Sequence, residues 1–353
     1  MLRDVKFCWF APTSGDFEYV CSATPSEEAS ISSIINIAKD AEAMGFDDIL
    51  IPIDPRCMDS IITASFILQN TSKINTVIAY RPGITTPQVL GTMLKTLDNN
   101  TNRVKLNLVQ GTVNDALAQG YPADSLAFLQ NRMYSFAKSF TELLHANGFH
   151  NYEDEHYIYK NASINPIHQS FELPLFVSGG EFAMRLAGEF FDYYMTFGDS
   201  VDNIKAYIEA AKSYARVHHQ RTIKVGMGVN IVARATTEEA LNDCHKMILH
   251  ASDESLQQTR AYYRQHLALG NRKFEDLASN DFMIDRNVWA GLAQVRTGPV
   301  ATIYGSYEEV ANKIADYIDI GVEYFSLTGY PYRKEVENVG KVIHLLKKEL
   351  ANV

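Results

Sequence analysis

The sequence predicts an α/β chain closed as a (β/α)8 TIM barrel with insertions. Three observations predict it. Short apolar runs rich in β-branched and aromatic residues alternate with segments of helix length. There are eight such runs, the number a barrel requires. No G-x-G-x-x-G follows the first run, which weakens the alternative architecture, a doubly wound open sheet.

The strands read as Val5–Phe10, Asp48–Ile53, Ile74–Tyr80, Val104–Val109, Leu175–Ser178, Tyr193–Phe197, Lys224–Ala233 and Glu323–Leu327. Helices are expected over Ser26–Met44, Met58–Gln69, Thr86–Asn99, Asn131–Ala146, Glu181–Phe190, Val201–His218, Thr237–His250 and Val336–Leu350. In the first, Ala29, Ile34, Ile37, Ala38 and Ala41 recur near helical spacing and Gly45 stops the helix. Asp59 is expected to cap the second. Two insertions break the repeat. Tyr152–Pro166 alternates as a small hairpin does. Ser252–Val300 is long, polar and broken by Asn, Asp and Gly. It follows strand seven, where an overhang covers the C-terminal mouth, so it reads as a mobile lid.

The chain of 353 residues carries a formal net charge of −10 and 46% hydrophobic residues, ample for a large core. With no linker composition, 1–353 is expected to be a single domain. The acidic balance argues against nucleic acid, which needs a basic footprint. No apolar run reaches the roughly 18 residues of a membrane span, and no secretory signal opens the chain. Four cysteines, Cys8, Cys21, Cys57 and Cys244, lie far apart with no C-x-x-C, which suits a reducing cytoplasm. No H-x-H at a strand end, H-E-x-x-H or G-x-S-x-G is present, so no metal site or nucleophile elbow is expected.

Barrel chemistry sits at strand ends. Strand four ends Asn107-Leu108-Val109-Gln110-Gly111, whose two amides can hydrogen-bond the edge of a planar heterocycle or serve ordinary turn chemistry. Strand five ends Ser178-Gly179-Gly180 and opens a helix, a place where backbone N–H groups can meet a phosphate. Tyr330 follows strand eight. Cys57 lies just past strand two, as a buried apolar thiol or as one that meets a cofactor. Arg296 sits in the long insertion, where the ordinary expectation is a solvated side chain.

Ordered pieces along the chain resemble the alkanesulfonate monooxygenase group of the bacterial-luciferase-like family. They are Trp9–Thr13, Leu50-Ile51-Pro52 with Cys57, Arg81-Pro82, Asn107–Val109 with Gly111, Arg132 with Tyr134, Thr196–Gly198, Trp289–Arg296 and Thr328–Pro331. The resemblance implies a TIM barrel that uses reduced FMN (FMNH2) from a separate NAD(P)H:FMN reductase, together with O2, and acts through a flavin (hydro)peroxide. It implies Cys57, Arg296, Tyr330 and Asn230 as catalytic positions. It implies Asn107, Gln110, Tyr134, Ser178, Gly179, Gly180 and Tyr330 around FMN, and Trp9, Ser14, Tyr80, Phe197 and Gly228 around the substrate. A cytoplasmic homodimer or homotetramer with a small-molecule substrate is also implied.

Three positions depart from the sulfonate enzymes. An inward Arg and His on their strand seven are Gly228 and Asn230 here, and a His after the Pro-Thr of strand one is Ser14. A buried sulfonate needs a paired charge. The expected substrate is therefore another small organic molecule, oxygenated at a carbonyl, a heteroatom or an organosulfur centre. The alternatives are an alkanesulfonate monooxygenase proper, a deazaflavin-dependent oxidoreductase, and a flavin-binding protein without catalysis.

Overall fold

The structure is a computed structural model that describes residues 5–99, 101–146, 148–164 and 172–351. In chain order the elements are β1 (Lys6–Phe10), α1 (Ile31–Ala43), β2 (Asp48–Ile51), α2 (Ser60–Asn70), β3 (Asn75–Tyr80), α3 (Pro87–Asp98), β4 (Val104–Leu108), α4 (Val113–Ala118) and α5 (Leu126–His145). They continue with β5 (His150–Glu153), β6 (Ile158–Ala162), β7 (Leu175–Ser178), α6 (Glu181–Phe190), β8 (Tyr193–Phe197), α7 (Val201–His219), β9 (Lys224–Arg234) and α8 (Thr237–Lys246). The last are α9 (Asp253–Tyr263), α10 (Phe274–Ala278), β10 (Met283–Asp285), β11 (Val288–Trp289), β12 (Thr302–Ser306), α11 (Tyr307–Asp319), β13 (Tyr324–Thr328) and α12 (Tyr332–Ala351). The eight expected strands are β1, β2, β3, β4, β7, β8, β9 and β13, alternating with helices in the (β/α)8 order of a TIM barrel.

Contacts divide the chain into two compact units. One comprises Met1–Leu50, Met195–Ala210 and Lys224–Val353, and the other Ile51–Tyr194 and Ala211–Ile223. In the first, β2, β1, β13 and β9 pair in parallel, with Cys8 beside both Asp48 and Ser326, and Ser326 beside Gly228. β9 is long enough to serve two partners: Gly226–Asn230 pairs with β13 and Asn230–Arg234 with β12. β11 adds to β12 antiparallel, and β10 to β11. The end of the long insertion is therefore part of a sheet. Val288, Trp289, Leu292 and Ala293 are wholly or almost wholly buried, whereas most of 253–281 is exposed. Gly291 is required there, because a Cβ would fall 1.7 Å from the Trp289 ring.

The second unit holds β3, β4 and β7 in parallel, the β5–β6 hairpin and the helices around them. Asp98 ends α3 and accepts from the backbone N–H groups of Asn102, Arg103 and Val104, which turns the chain into β4. The hairpin lies inside the expected Tyr152–Pro166, except that it starts at His150; residues 165 and 166 fall outside the described residues.

Helix starts differ from expectation for local reasons. The first helix begins at Ile31, because Ser30 caps it and the chain before it bridges Asp16 to Glu27. The fourth begins at Leu126, where Ser125 accepts from the Phe128 N–H. Asp59 does cap α2, accepting from the Ile62 N–H at 2.8 Å. α4, β10, β11 and β12 were not expected.

The hairpin generates a pH prediction. Asp154 accepts from the Tyr152 hydroxyl (2.6 Å) and from the N–H groups of His156 and Tyr157 (2.8 Å each). Burial acts to raise its pKa, but these bonds and one from Ser135 outweigh burial and lower it from 3.8 to about 2. The folded value is below the unfolded one, so this stabilisation is present above pH 3.8 and disappears as pH falls towards about 2. Asp154→Asn should lower the melting temperature at neutral pH, and the gap should narrow steadily as calorimetry is repeated below about pH 4. A gap independent of pH contradicts this account.

Candidate active site

Each unit carries one cluster of the expected residues. In the first, β13 delivers Tyr330 and the insertion delivers Arg296. An Arg296 guanidinium N–H donates to the Tyr330 hydroxyl at 3.0 Å. The Arg296 backbone is anchored twice to α9: the Tyr263 hydroxyl donates to the Arg296 carbonyl (3.0 Å) and Ser255 Oγ to the Val295 carbonyl (2.5 Å). Arg296 is half-buried rather than solvated, and among the described residues no carboxylate pairs with it. Burial opposes its charge, but Tyr330, Tyr332 and Cys21 outweigh burial and raise its pKa above the usual arginine value. The arrangement presents a fixed positive charge and a phenol side by side, a donor pair suited to negative charge on an oxygen.

Strand seven supplies the face Gly226, Gly228, Asn230. A Cβ at Gly228 would meet only the Thr196 carbonyl, at 3.8 Å, so the position is open. Asn230 is buried. Its carbonyl oxygen accepts from Thr328 Oγ1 (2.5 Å), and its amide donates to the Ala301 carbonyl (3.3 Å). Phe197 and Ser14 are exposed. Trp9, expected at the substrate, has no exposed surface and packs against Phe46 and Tyr332.

In the second unit, Asn107 at the end of β4 is buried and its side-chain oxygen accepts from Ser178 Oγ at 3.5 Å. The next residues form the turn into α6. Gly179 has φ +142, a conformation few side chains tolerate, and the Tyr194 hydroxyl donates to its carbonyl at 2.8 Å. Gly180 caps α6 without any side-chain bond, and nothing lies within 4 Å of where its Cβ would be. Among the described residues no N-cap side chain accepts from the first-turn amides of α6, a helix start of the kind that can meet a phosphate. Gln110 is half-buried, as is Cys57, whose N–H donates to the Asp54 carbonyl at 3.0 Å. Tyr80 is buried; burial first and Asp59 second push its pKa to about 12, so it stays a neutral phenol.

Tyr134 is not brought to this turn. Its hydroxyl donates to Glu189 at 3.1 Å, near the C-terminal end of α6, while the turn lies at the N-terminal end. Nine residues of helix separate the two levels, roughly 13 Å at 1.5 Å per residue. Arg132, two residues before it, is buried against the rings of Phe128 and Tyr121 and donates to the Pro122 carbonyl at 2.5 Å. The sequence reading also missed Tyr332. It lies two residues beyond Tyr330 and its hydroxyl donates to the Tyr330 hydroxyl at 3.2 Å. Pro331 at the start of α12 is the sequence signal that could have placed it at a strand end. Among the described residues no group of three or more His, Cys, Asp or Glu could hold a metal ion.

A strand-end phenol beside a half-buried arginine in one unit, and a glycine turn at a helix start in the other, stand where (β/α)8 enzymes carry their chemistry. Residues 5–324 match the profile of the luciferase-like monooxygenases, and the chain belongs to that family. Solved structures agree in fold. A riboflavin lyase (RcaE) with modified FMN and riboflavin superposes with TM-score 0.76 at 15% identity, covering 98% of this chain and 92% of that one. The EDTA monooxygenase EmoA from Chelativorans sp. BNC1 superposes with TM-score 0.74 at 15% identity, covering 98% and 94%. An F420-dependent secondary alcohol dehydrogenase with an F420–acetone adduct superposes with TM-score 0.67 at 16% identity, covering 97% and 99%.

With its hydroxyl engaged by Glu189, Tyr134 lies away from the turn, so any affinity the protein shows for added FMNH2 should change by less than about twofold in Tyr134→Phe. Anaerobic titration measures it, and a loss of tenfold or more would return Tyr134 to the phosphate.

Proposed function

We propose that this chain is the oxygenase of a two-component system. It takes FMNH2 from a separate NAD(P)H:FMN reductase, uses O2, and transfers one oxygen atom to a small organic substrate other than a simple alkanesulfonate. The Arg296–Tyr330 bond at the end of β13 carries this reading. Reduced flavin supplies the electrons that activate O2. Arg296 offsets negative charge on the reacting oxygen and Tyr330 donates a hydrogen bond to it. Cys57 and Asn230 are the further catalytic candidates. Asn107 and Gln110 hold the edge of the flavin ring, and the Ser178–Gly180 turn holds its phosphate. Tyr80, Ser14, Phe197 and Gly228 border the substrate.

The neutral, open Gly228 and the internally satisfied Asn230 support an uncharged substrate, since neither compensates a sulfonate. The whole chain acts as one domain. The 252–300 insertion is the lid, 253–281 being its mostly exposed part, and α9 ties that part to Arg296 through Tyr263 and Ser255. The protein is cytoplasmic; no helix of the described residues is long and apolar enough to cross a membrane. It assembles as a homodimer or homotetramer. Exposed Ile62 and Phe66 on α2, and Val89 and Met93 on α3, stand four residues apart on each helix and support this. Light scattering gives the mass, and a monomer contradicts it.

The likeness to an F420-dependent dehydrogenase favours a second reading, a deazaflavin oxidoreductase. Anaerobic fluorescence titration with FMNH2, FMN, FAD and reduced deazaflavin separates the two. FMNH2 should bind tightest, FMN more weakly, and FAD and the deazaflavin hardly at all. Tight binding of FAD or deazaflavin instead contradicts the proposal.

The substrate reading has its own assay. With a generic FMN reductase supplied, short- and medium-chain alkanesulfonates should release little or no sulfite. Robust release from any of them would overturn the reading of Gly228 and Asn230.

A further inference from the structure

We infer that Tyr332 is a positioning residue for Tyr330, held by Asp16, and that it sets the direction in which the Tyr330 O–H points. The inference rests on the proposed role of Tyr330 as a donor to the reacting oxygen. An arginine N–H can only donate, so the Tyr330 oxygen is the acceptor of the 3.0 Å contact with Arg296. The Tyr332 hydroxyl donates to the same oxygen at 3.2 Å. A phenolic O–H lies close to its ring plane and has two orientations. With two donors already at the oxygen, the Tyr330 proton is left to point at a third partner, the orientation that a donor to substrate oxygen needs.

Tyr332 can impose this because it is itself immobilised. Its ring is buried, stacked on Phe10 (5.3 Å, 22°) and edge-on to Trp9 (6.3 Å, 75°). Its contact with the Tyr330 ring is tilted, at 4.9 Å. The two Asp16 carboxylate oxygens accept from the N–H groups of Tyr332 (2.8 Å) and Arg333 (3.0 Å), the first amides of α12. Asp16 is only 4% exposed and is fastened in turn, its carbonyl accepting from Ser26 Oγ at 2.9 Å. The loop after β1 thereby fixes the side chain that aims Tyr330, which also explains why Trp9 is a core residue and not a pocket wall.

Tyr332→Phe removes the hydroxyl and keeps the ring contacts. The first readout needs no flavin: protein labelled with [ζ-13C]tyrosine, the Tyr330 signal identified by its absence from Tyr330→Phe. The Tyr330 signal should shift in Tyr332→Phe. The second is the rate at which the protein–FMNH2 complex mixed with O2 releases H2O2, FMNH2 and O2 giving FMN and H2O2. Tyr332→Phe should speed release about fivefold, the factor that one neutral hydrogen bond is worth. The Tyr330→Phe/Tyr332→Phe double variant should be no faster than Tyr330→Phe alone, because Tyr332 acts through Tyr330. An unmoved Tyr330 signal, or fully additive rates in the double variant, overturns the inference. Failure of the flavin reading itself would show separately, as wild-type protein that does not bind FMNH2, and the carbon signal then decides alone.

Discussion

A half-buried guanidinium with no carboxylate paired to it among the described residues is the constraint around which the first unit is organised. Removing a cation from water without a counter-charge is costly, and the protein meets that cost with fixed neutral donors and acceptors rather than with an acid. A carboxylate would neutralise Arg296 permanently. Phenols leave its charge available to a ligand while their oxygens accept its N–H groups. The Tyr330 oxygen does this at 3.0 Å, and burial of the surrounding rings keeps the local dielectric low.

Several otherwise separate features serve that placement. β11 and the turn after it are built into the sheet through β12, so the residues before Arg296 have a rigid base. Gly291 exists to let the chain pass the Trp289 ring. α9 holds the carbonyls of residues 295 and 296 from the exposed half of the insertion. Rigid base and exposed clamp lie in one insertion, so the chain around Arg296 is held from both sides.

The barrel was legible in the sequence because its strands are buried runs of β-branched and aromatic residues set apart by amphipathic helices, a pattern that local residue types dictate. β12 was missed: Thr302-Ile-Tyr-Gly-Ser306 is short, carries a glycine, and becomes a strand only by pairing with the far half of β9. Of the candidate site, residues at strand ends could be named from position alone. Side-chain direction could not. Tyr134 follows an arginine at a plausible spacing, yet its helix turns it to Glu189. Tyr332 depends on Asp16, 316 residues earlier, and no local pattern reports a cap donated from that distance.

The central claim is that Arg296 and Tyr330 act on oxygen activated by bound FMNH2. Stopped-flow mixing of the protein–FMNH2 complex with O2, in wild type and Arg296→Ala, tests it most directly. The account predicts a near-ultraviolet transient before oxidised flavin appears in the wild type, and its faster decay in a variant that still folds and binds FMNH2. Oxidation without any transient in the wild type, or an equally long-lived transient in Arg296→Ala, would contradict it.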